Sequence, residues 1–302
     1  MTAGNASDAV VLGELRALGR AAGIAAMSRL PGGTIADVWL VAYADGSRAV
    51  AKTATGAPAD LFAVEASGLA ALHGTGHLAT PRVLAVTGRM LLLEALAARD
   101  DAGPSWEGFA RDLAAAHHGT AGNRFGWHRD GYLGRLRQVN TWSGSGHEFF
   151  AEHRLLRYLS EPAAGRALTA ADRRAVERLC ARLPELIPAM PAVLTHGDLW
   201  AGNLASQAGG RITVIDPAVC CTWAEVDLSM LWCSPRPAAA DRFFETYQEL
   251  NPSPPGWAGR MPLLYLREQL STIAHFGPAA TETIGQIRDI LAPFYPGPTR
   301  PG

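Results

Sequence analysis

Between residues 6 and 22 the apolar residues Val10, Leu12, Leu15 and Leu18 recur at near-helical spacing, which predicts an amphipathic helix at the start of the chain. The period then changes. Residues 35–43 are rich in β-formers, Asp45-Gly46 is a tight-turn signal and residues 49–53 continue extended, so a hairpin is expected. Pro58 suits a helix start, and a helix over 58–73 puts Phe62, Glu65, Leu69 and Leu72 on neighbouring turns. Two short apolar runs follow at 82–86 and 90–94, giving the order strand, strand, helix, strand, strand.

Residues 97–105, rich in Ala, Asp and Gly with one Pro, read as a linker between a first lobe, 1–95, and a second, 96–302. Helical periodicity dominates beyond it, over 106–118, 147–160, 170–186, 239–250, 260–276 and 282–292, around a Gly- and Trp-rich loop at 119–146. One β segment interrupts the helices. Residues 193–195 and 211–215 read as short strands flanking a polar, Gly-containing loop, the placement in which a rigid scaffold holds functional groups. The class is therefore α+β, with a small sheet lobe followed by a larger helical one and no internal repeat.

Composition narrows the partners. The chain has 302 residues, 48% of them hydrophobic, and 27 Lys+Arg against 28 Asp+Glu give a net charge of −1. A near-neutral chain lacks the basic excess of nucleic-acid and anionic-membrane binders. No apolar run approaches the roughly 20 residues of a spanning helix, and the opening MTAGNASDAV lacks the basic and apolar regions of a signal peptide, so a cytoplasmic protein is expected. Cys180, Cys220, Cys221 and Cys233 have neither disulfide-framework nor metal-site spacing.

The loop at 196–203 reads HGDLWAGN and is followed by ITVID, which ends at Asp216. An Asp, an Asn five residues later and an Asp closing the next strand form the set that phosphoryl transfer needs: one carboxylate takes a hydroxyl proton, while an amide oxygen and a second carboxylate hold Mg²⁺ against nucleotide phosphates. Asp198 is the candidate base and Asn203 and Asp216 the candidate metal ligands, with Gly202 expected to turn the backbone so that Asn203 faces inward. An ATP site also needs a phosphate-engaging lysine. Lys52, in the apolar context AVAK of the second hairpin strand, fills that place, and Glu65 on the next helix is its candidate partner, the strand-lysine and helix-glutamate pair of protein-kinase-like folds. Gly32 and Gly33, in PGGTIADVWLV, would let the backbone approach the phosphates. Glu94 falls where the chain crosses between lobes, and there its backbone, more than its carboxylate, would meet adenine.

These residues resemble the fructosamine (ketosamine-3) kinases, relatives of the aminoglycoside and choline phosphotransferases. The likeness runs from about Gly32 to Gly277 through HGDLWAGN, LAAAHH with NRFGW, RQVNTWSGSGHEFFAEHRL, VIDPA, EVDLSM, RFFETYQEL and LYLREQLSTIAHFG. It implies a bilobal protein-kinase-like fold and ATP-dependent phosphorylation of the 3-hydroxyl of a ketosamine, whether a small molecule or a glycated protein. A monomer or weak homodimer is expected. By the same resemblance Asp198 is base, Asn203 and Asp216 bind Mg²⁺, and Lys52 with Glu65 orients ATP. Trp200 is a candidate to stack on the sugar or to support the loop, and Asp227 and His196 are expected to brace it by hydrogen bonds. Ala36 and the segment 220–224 depart from the family pattern in regions that lie near its cleft.

A kinase of an aminoglycoside or amino alcohol would share every ATP-site residue and would need carboxylates opposite Asp198, for which Glu148, Glu152 and Glu225 are candidates. A protein-substrate kinase is disfavoured because no D-F-G or A-P-E segment follows Asp216. A catalytically dead nucleotide-binding module is a third reading, opposed by the presence of Lys52, Asp198, Asn203 and Asp216 together.

Overall fold

The computed structural model describes residues 4–31, 36–96 and 105–296. Gly32 and Gly33, and the 97–105 linker apart from Ser105, lie outside the described residues. The chain opens with α1 (Gly4–Ala17), then β1 (Ile24–Arg29), β2 (Asp37–Tyr43), β3 (Arg48–Thr53), α2 (Leu61–His73), β4 (Val83–Val86) and β5 (Met90–Glu94). The strands form one antiparallel sheet in the order β1-β2-β3-β5-β4. The expected order holds with one addition. Strand β1 escapes the sequence pattern, because IAAMSR carries short side chains and its burial alternates only weakly on the sheet edge.

Strand alternation sorts this sheet into two faces. Trp39, Val41, Ala49, Ala51, Met90 and Leu92 pack under Val11 and Leu15 of α1, whereas Leu91, Leu93 and Val50 meet Phe62 and Leu69 of α2. Lys52 is two residues from Val50 and so belongs to the α2 face, where Glu65 waits.

The larger lobe contains α3 (Trp106–Gly119), a hairpin of β6 (Gly131–Leu133) and β7 (Leu136–Gln138), α4 (Gly146–Phe150), α5 (Arg157–Leu159), α6 (Pro162–Ala167) and α7 (Ala170–Leu186). Then come β8 (Val193–Thr195), β9 (Leu204–Ser206), β10 (Ile212–Val214), β11 (Cys220–Thr222), α8 (Glu225–Cys233), α9 (Asp241–Leu250), α10 (Trp257–Phe276) and α11 (Thr281–Leu291). The helix expected over 147–160 is real but broken, with a π-helical turn at Ala151–Leu156. Its wider spacing lets buried Arg154 reach the carbonyls of Val139 and His153 and the side chain of Asn140. The 119–146 stretch, expected to be a loop, contains the β6–β7 hairpin. Tyr132 in that hairpin donates a hydrogen bond to Asp60 at the entry to α2 (2.6 Å), and the Arg135 amide donates to His275 Nε2 near the end of α10 (3.1 Å).

The two strands expected to flank the HGD loop do not pair with each other. β8 pairs with β11 and β9 with β10, all antiparallel, so the loop runs between two separate two-stranded ribbons. One large apolar cluster underlies the helices and takes in Leu72 and Leu78 from before the crossing. Among the described residues no helix is long and apolar enough to cross a membrane.

Candidate active site

A cleft of about 1210 Å³ opens between the sheet and the helices, and Lys52, Glu65, Asp198, Trp200, Asn203 and Asp216 all line it. On the sheet side Lys52 is 5% exposed, and its Nζ lies 2.6 Å from Glu65 Oε1 and 2.5 Å from Asp216 Oδ1. Burial alone would lower the ammonium's pKa, but the two carboxylates more than reverse that and hold it well above the ordinary value. For Glu65 burial outweighs the pull of Lys52, and its pKa lies above the usual carboxylate value. Glu94 lines the cleft too, but its amide donates to the carbonyl of Arg82 (2.9 Å) and its carboxylate accepts from the Arg82 amide (2.9 Å). Its backbone N–H is therefore spent inside the sheet.

The loop 196–203 is held from behind. Asp227, fully buried at the start of α8, accepts from the amides of His196 and Gly197, both at 2.8 Å, and faces His117 Nε2 at 3.3 Å. Burial raises the Asp227 pKa, but His117, His196 and the Gly197 amide outweigh it and keep it below the usual range. Buried His196 donates from Nε2 to the Ile215 carbonyl (2.9 Å) and accepts from the Asp198 amide at Nδ1 (3.2 Å), an arrangement of the neutral ring that burial favours by lowering its pKa. Gly197 has φ +79°, and a Cβ there would stand 2.1 Å from the Ala218 carbonyl oxygen, so no other residue fits. Arg267 of α10 clamps the same residue, with Nη1 and Nη2 both 2.6 Å from the Gly197 carbonyl.

Braced in this way, the loop presents Asp198 to the cleft. Asn203 donates from Nδ2 to the Asp198 carbonyl (2.8 Å) and to its Oδ2 (2.9 Å), which turns Asn203 Oδ1 away from Asp198. Burial pushes the Asp198 acid up to about 6, against the opposing pull of Arg267 and Asn203. Asp216, after β10, is the one non-glycine residue among those described with positive φ (+55°), a conformation Asp tolerates better than most residues, and it aims Oδ1 at Lys52.

Gly202 has a different reason from the expected turn. Its φ is not positive; instead, a Cβ there would lie 2.2 Å from the indole of Trp200, which packs against the glycine while remaining 42% exposed at the cleft.

The carboxylate expected opposite Asp198 is a different glutamate. Glu225 does not line the cleft: it is 1% exposed and makes a two-pronged ion pair with Arg260, at 3.0 and 2.5 Å. Glu148 and Glu152 are exposed helix residues outside the cleft lining. Glu268 lines it instead, in a stripe along α10 with Tyr265, Ser271, Thr272, His275 and Phe276. Polar residues recurring at three and four positions in an otherwise apolar helix were the available signal. Burial first, and then the charge of Asp198, push the Glu268 acid up to about 8. Ala36 is on the cleft wall, but the altered segment 220–224 is not. Its Cys220–Thr222 is strand β11, and Trp223 is 1% exposed, packed on Phe125, Phe150 and His147. Burial pushes the thiols of Cys180, Cys221 and Cys233 up to about 12, far from thiolate chemistry.

Relatives share this chain's sequence and architecture. A Synechocystis sp. protein designated a ketoamine kinase is 32% identical over 233 residues, covering 72% of this chain and 74% of its own length. The protein-ribulosamine 3-kinase of Oryza sativa subsp. japonica, a chloroplastic protein, is 27% identical over 280 residues, covering 90% of this chain and 80% of its own. A crystal structure from Thermobifida fusca, of a protein assigned as a fructosamine-3-kinase, superposes with a TM-score of 0.79 at 34% identity, over 89% of this chain and 94% of that one. The sequence profile of the fructosamine kinase family matches residues 12–292, nearly all of the chain, which belongs to that family of ATP-dependent phosphotransferases.

Proposed function

We propose that the protein transfers the γ-phosphoryl group of ATP to the 3-hydroxyl of a ketosamine, the sugar adduct formed when an amine is glycated, in the cytoplasm. The observation that carries this reading is the convergence of Asp198, Asn203 and Asp216 with the Lys52–Glu65 pair on one cleft. Ketoamine and ribulosamine kinases among the relatives supply the substrate class.

Asp198 is the base. Its carboxylate, with an acid near 6, is ionised at neutral pH yet close enough to that pH to exchange a proton efficiently. It accepts the hydroxyl proton as the oxygen attacks the γ-phosphorus and the bond from that phosphorus to the bridging oxygen breaks to release ADP, and Asn203 holds the carboxylate in place. Lys52, fixed by Glu65, supplies positive charge to the phosphates, and adenine meets the backbone at Leu96, since the amides of Glu94 and Ala95 already donate to the Arg82 and Arg48 carbonyls. The donor set suits Mg²⁺: Asn203 keeps Oδ1 and Asp216 keeps Oδ2 beyond the bonds that orient them, and both are hard oxygen ligands. Bound there, the ion would neutralise phosphate charge. Trp200 offers a flat apolar face to the sugar, with the pinned geometry that Gly202 permits.

The test is ATP consumption by the purified protein with Mg²⁺ against a ribulose-lysine adduct, a fructose-lysine adduct, an aminoglycoside and choline. Phosphorylation of either adduct at O3 is expected. Turnover confined to the aminoglycoside or choline, or ATP binding with no turnover at all, overturns the reading.

A further inference from the structure

We infer that Glu268 receives the substrate's ammonium group, seating a cationic amine beside the acceptor hydroxyl that faces Asp198. The inference rests on the ketosamine reading above and names what that reading leaves open, the group on the protein that recognises the amine.

Glu268 Oε2 is buried and has no hydrogen-bond partner, although the residue lines an open cleft. Burying a carboxylate oxygen without a partner is costly. Buried carboxylates elsewhere in the larger lobe are answered. Glu225 has Arg260, Asp227 has two amides and His117, and Asp172 has Thr169, Arg288 and Tyr295. The cation next in sequence, Arg267, pulls on Glu268 by its charge but makes no hydrogen bond to it, and commits both terminal nitrogens to the Gly197 carbonyl. Thr272, one turn along α10, opposes the rise of the Glu268 acid, but no group of the fold hydrogen-bonds to Oε2. Asp198 raises its proton affinity further, against the pull of Arg267, so the charged form of Glu268 awaits a cation, and an ammonium arriving in the cleft would draw it into that form.

A ketosamine brings such a cation. Its nitrogen sits on C1 and its reacting hydroxyl on C3, and the secondary amine is protonated at neutral pH. Any pose that presents O3 to Asp198 carries a positive charge a short distance away along the same sugar. A carboxylate beside the base, with one oxygen unpaired, is the complement of that pair of groups. A charged partner of this kind also discriminates strongly, because an analogue without the nitrogen leaves Glu268 as unpaired as it is in the empty site.

The experiment compares wild type with Glu268→Gln and Glu268→Asp on two substrates, a fructose-lysine adduct and a 1-O-alkyl fructose ether that keeps the sugar and loses the nitrogen. Glu268→Gln should raise KM for the amine adduct about 10- to 100-fold, the range for a hydrogen bond to a charged group, with a smaller change in kcat. Selectivity for amine over ether should collapse by the same factor, and Glu268→Asp, which keeps the charge, should recover a share of it. In wild type, raising the pH through the amine's own pKa should weaken the adduct and leave the ether unaffected, a readout that needs no variant. An equal loss on both substrates, an unchanged KM for the adduct, or a wild type that does not distinguish amine from ether overturns the inference while leaving the kinase reading intact. A wild type that phosphorylates neither adduct overturns the ketosamine reading and this inference with it.

Discussion

The two walls of the cleft handle charge in opposite ways. On the sheet side Lys52 is enclosed by Glu65 and Asp216, so the groups that would meet phosphates are already neutralised and fixed by one another. On the α10 side Asp198 and Glu268 face the cavity with burial raising both acids, and the nearby Arg267 guanidinium is spent on a backbone carbonyl. The first wall is assembled before anything binds. The second is completed only when a cation arrives with the acceptor.

The largest expected effect tests the second wall. Asp198→Asn should lower kcat by about 10²- to 10⁴-fold, the range for a lost general base, while the protein stays folded and still binds ATP; near-wild-type turnover would remove Asp198 from the chemistry. Next comes a mirrored pair of stability measurements. Lys52→Met breaks a buried ion pair and should cost about 3–5 kcal/mol in denaturant unfolding. Glu268→Gln should do the reverse. Its acid, ordinarily near 4.5, is raised to about 8 in the folded state, so ionised Glu268 destabilises the fold increasingly between those values. The variant should therefore melt above wild type at pH 8–9, with the difference vanishing near pH 4, and a lower Tm at pH 9 would show that Glu268 is already paired. Gly202→Ala should cost about 1–3 kcal/mol or displace the Trp200 indole, read as a change in Trp fluorescence; an unchanged spectrum and Tm would refute the close packing. The smallest effect is on pH. As Asp198 loses its proton, kcat/KM should rise with pH through an inflection near 6, and Asp198→Asn should flatten whatever activity is left.

The nucleotide wall was legible because its residues lie in short motifs with local spacing. AVAK, the following helix and HGDLWAGN through VID announce Lys52, Glu65, Asp198, Asn203 and Asp216, and a strand period of two explains how Lys52 meets Glu65. The acceptor wall was hidden because its partners are distant in sequence. Whether a glutamate faces a cleft or an arginine depends on a helix some 35 residues away, which is why Glu225 could be mistaken for a substrate contact and Glu268 overlooked. The same holds for His117, whose role in bracing the loop needs α3 and α8 side by side. Segment 220–224 could be mistaken for a specificity region because departure from a pattern does not say which way a strand faces. Three-residue strands such as β6, β7 and β9 are too short for alternation to announce.

The β6–β7 hairpin is joined at one end to the entry of the helix carrying Glu65, through Tyr132 and Asp60, and at its turn to the helix carrying Glu268, through the Arg135 amide and His275. It acts as a strut across the mouth of the site. A hinge motion that swings α2 away from α10 works against both hydrogen bonds, so the hairpin opposes widening of the gap between phosphate donor and acceptor. Shortening the hairpin would change the stride of the transfer without altering a single group that takes part in it.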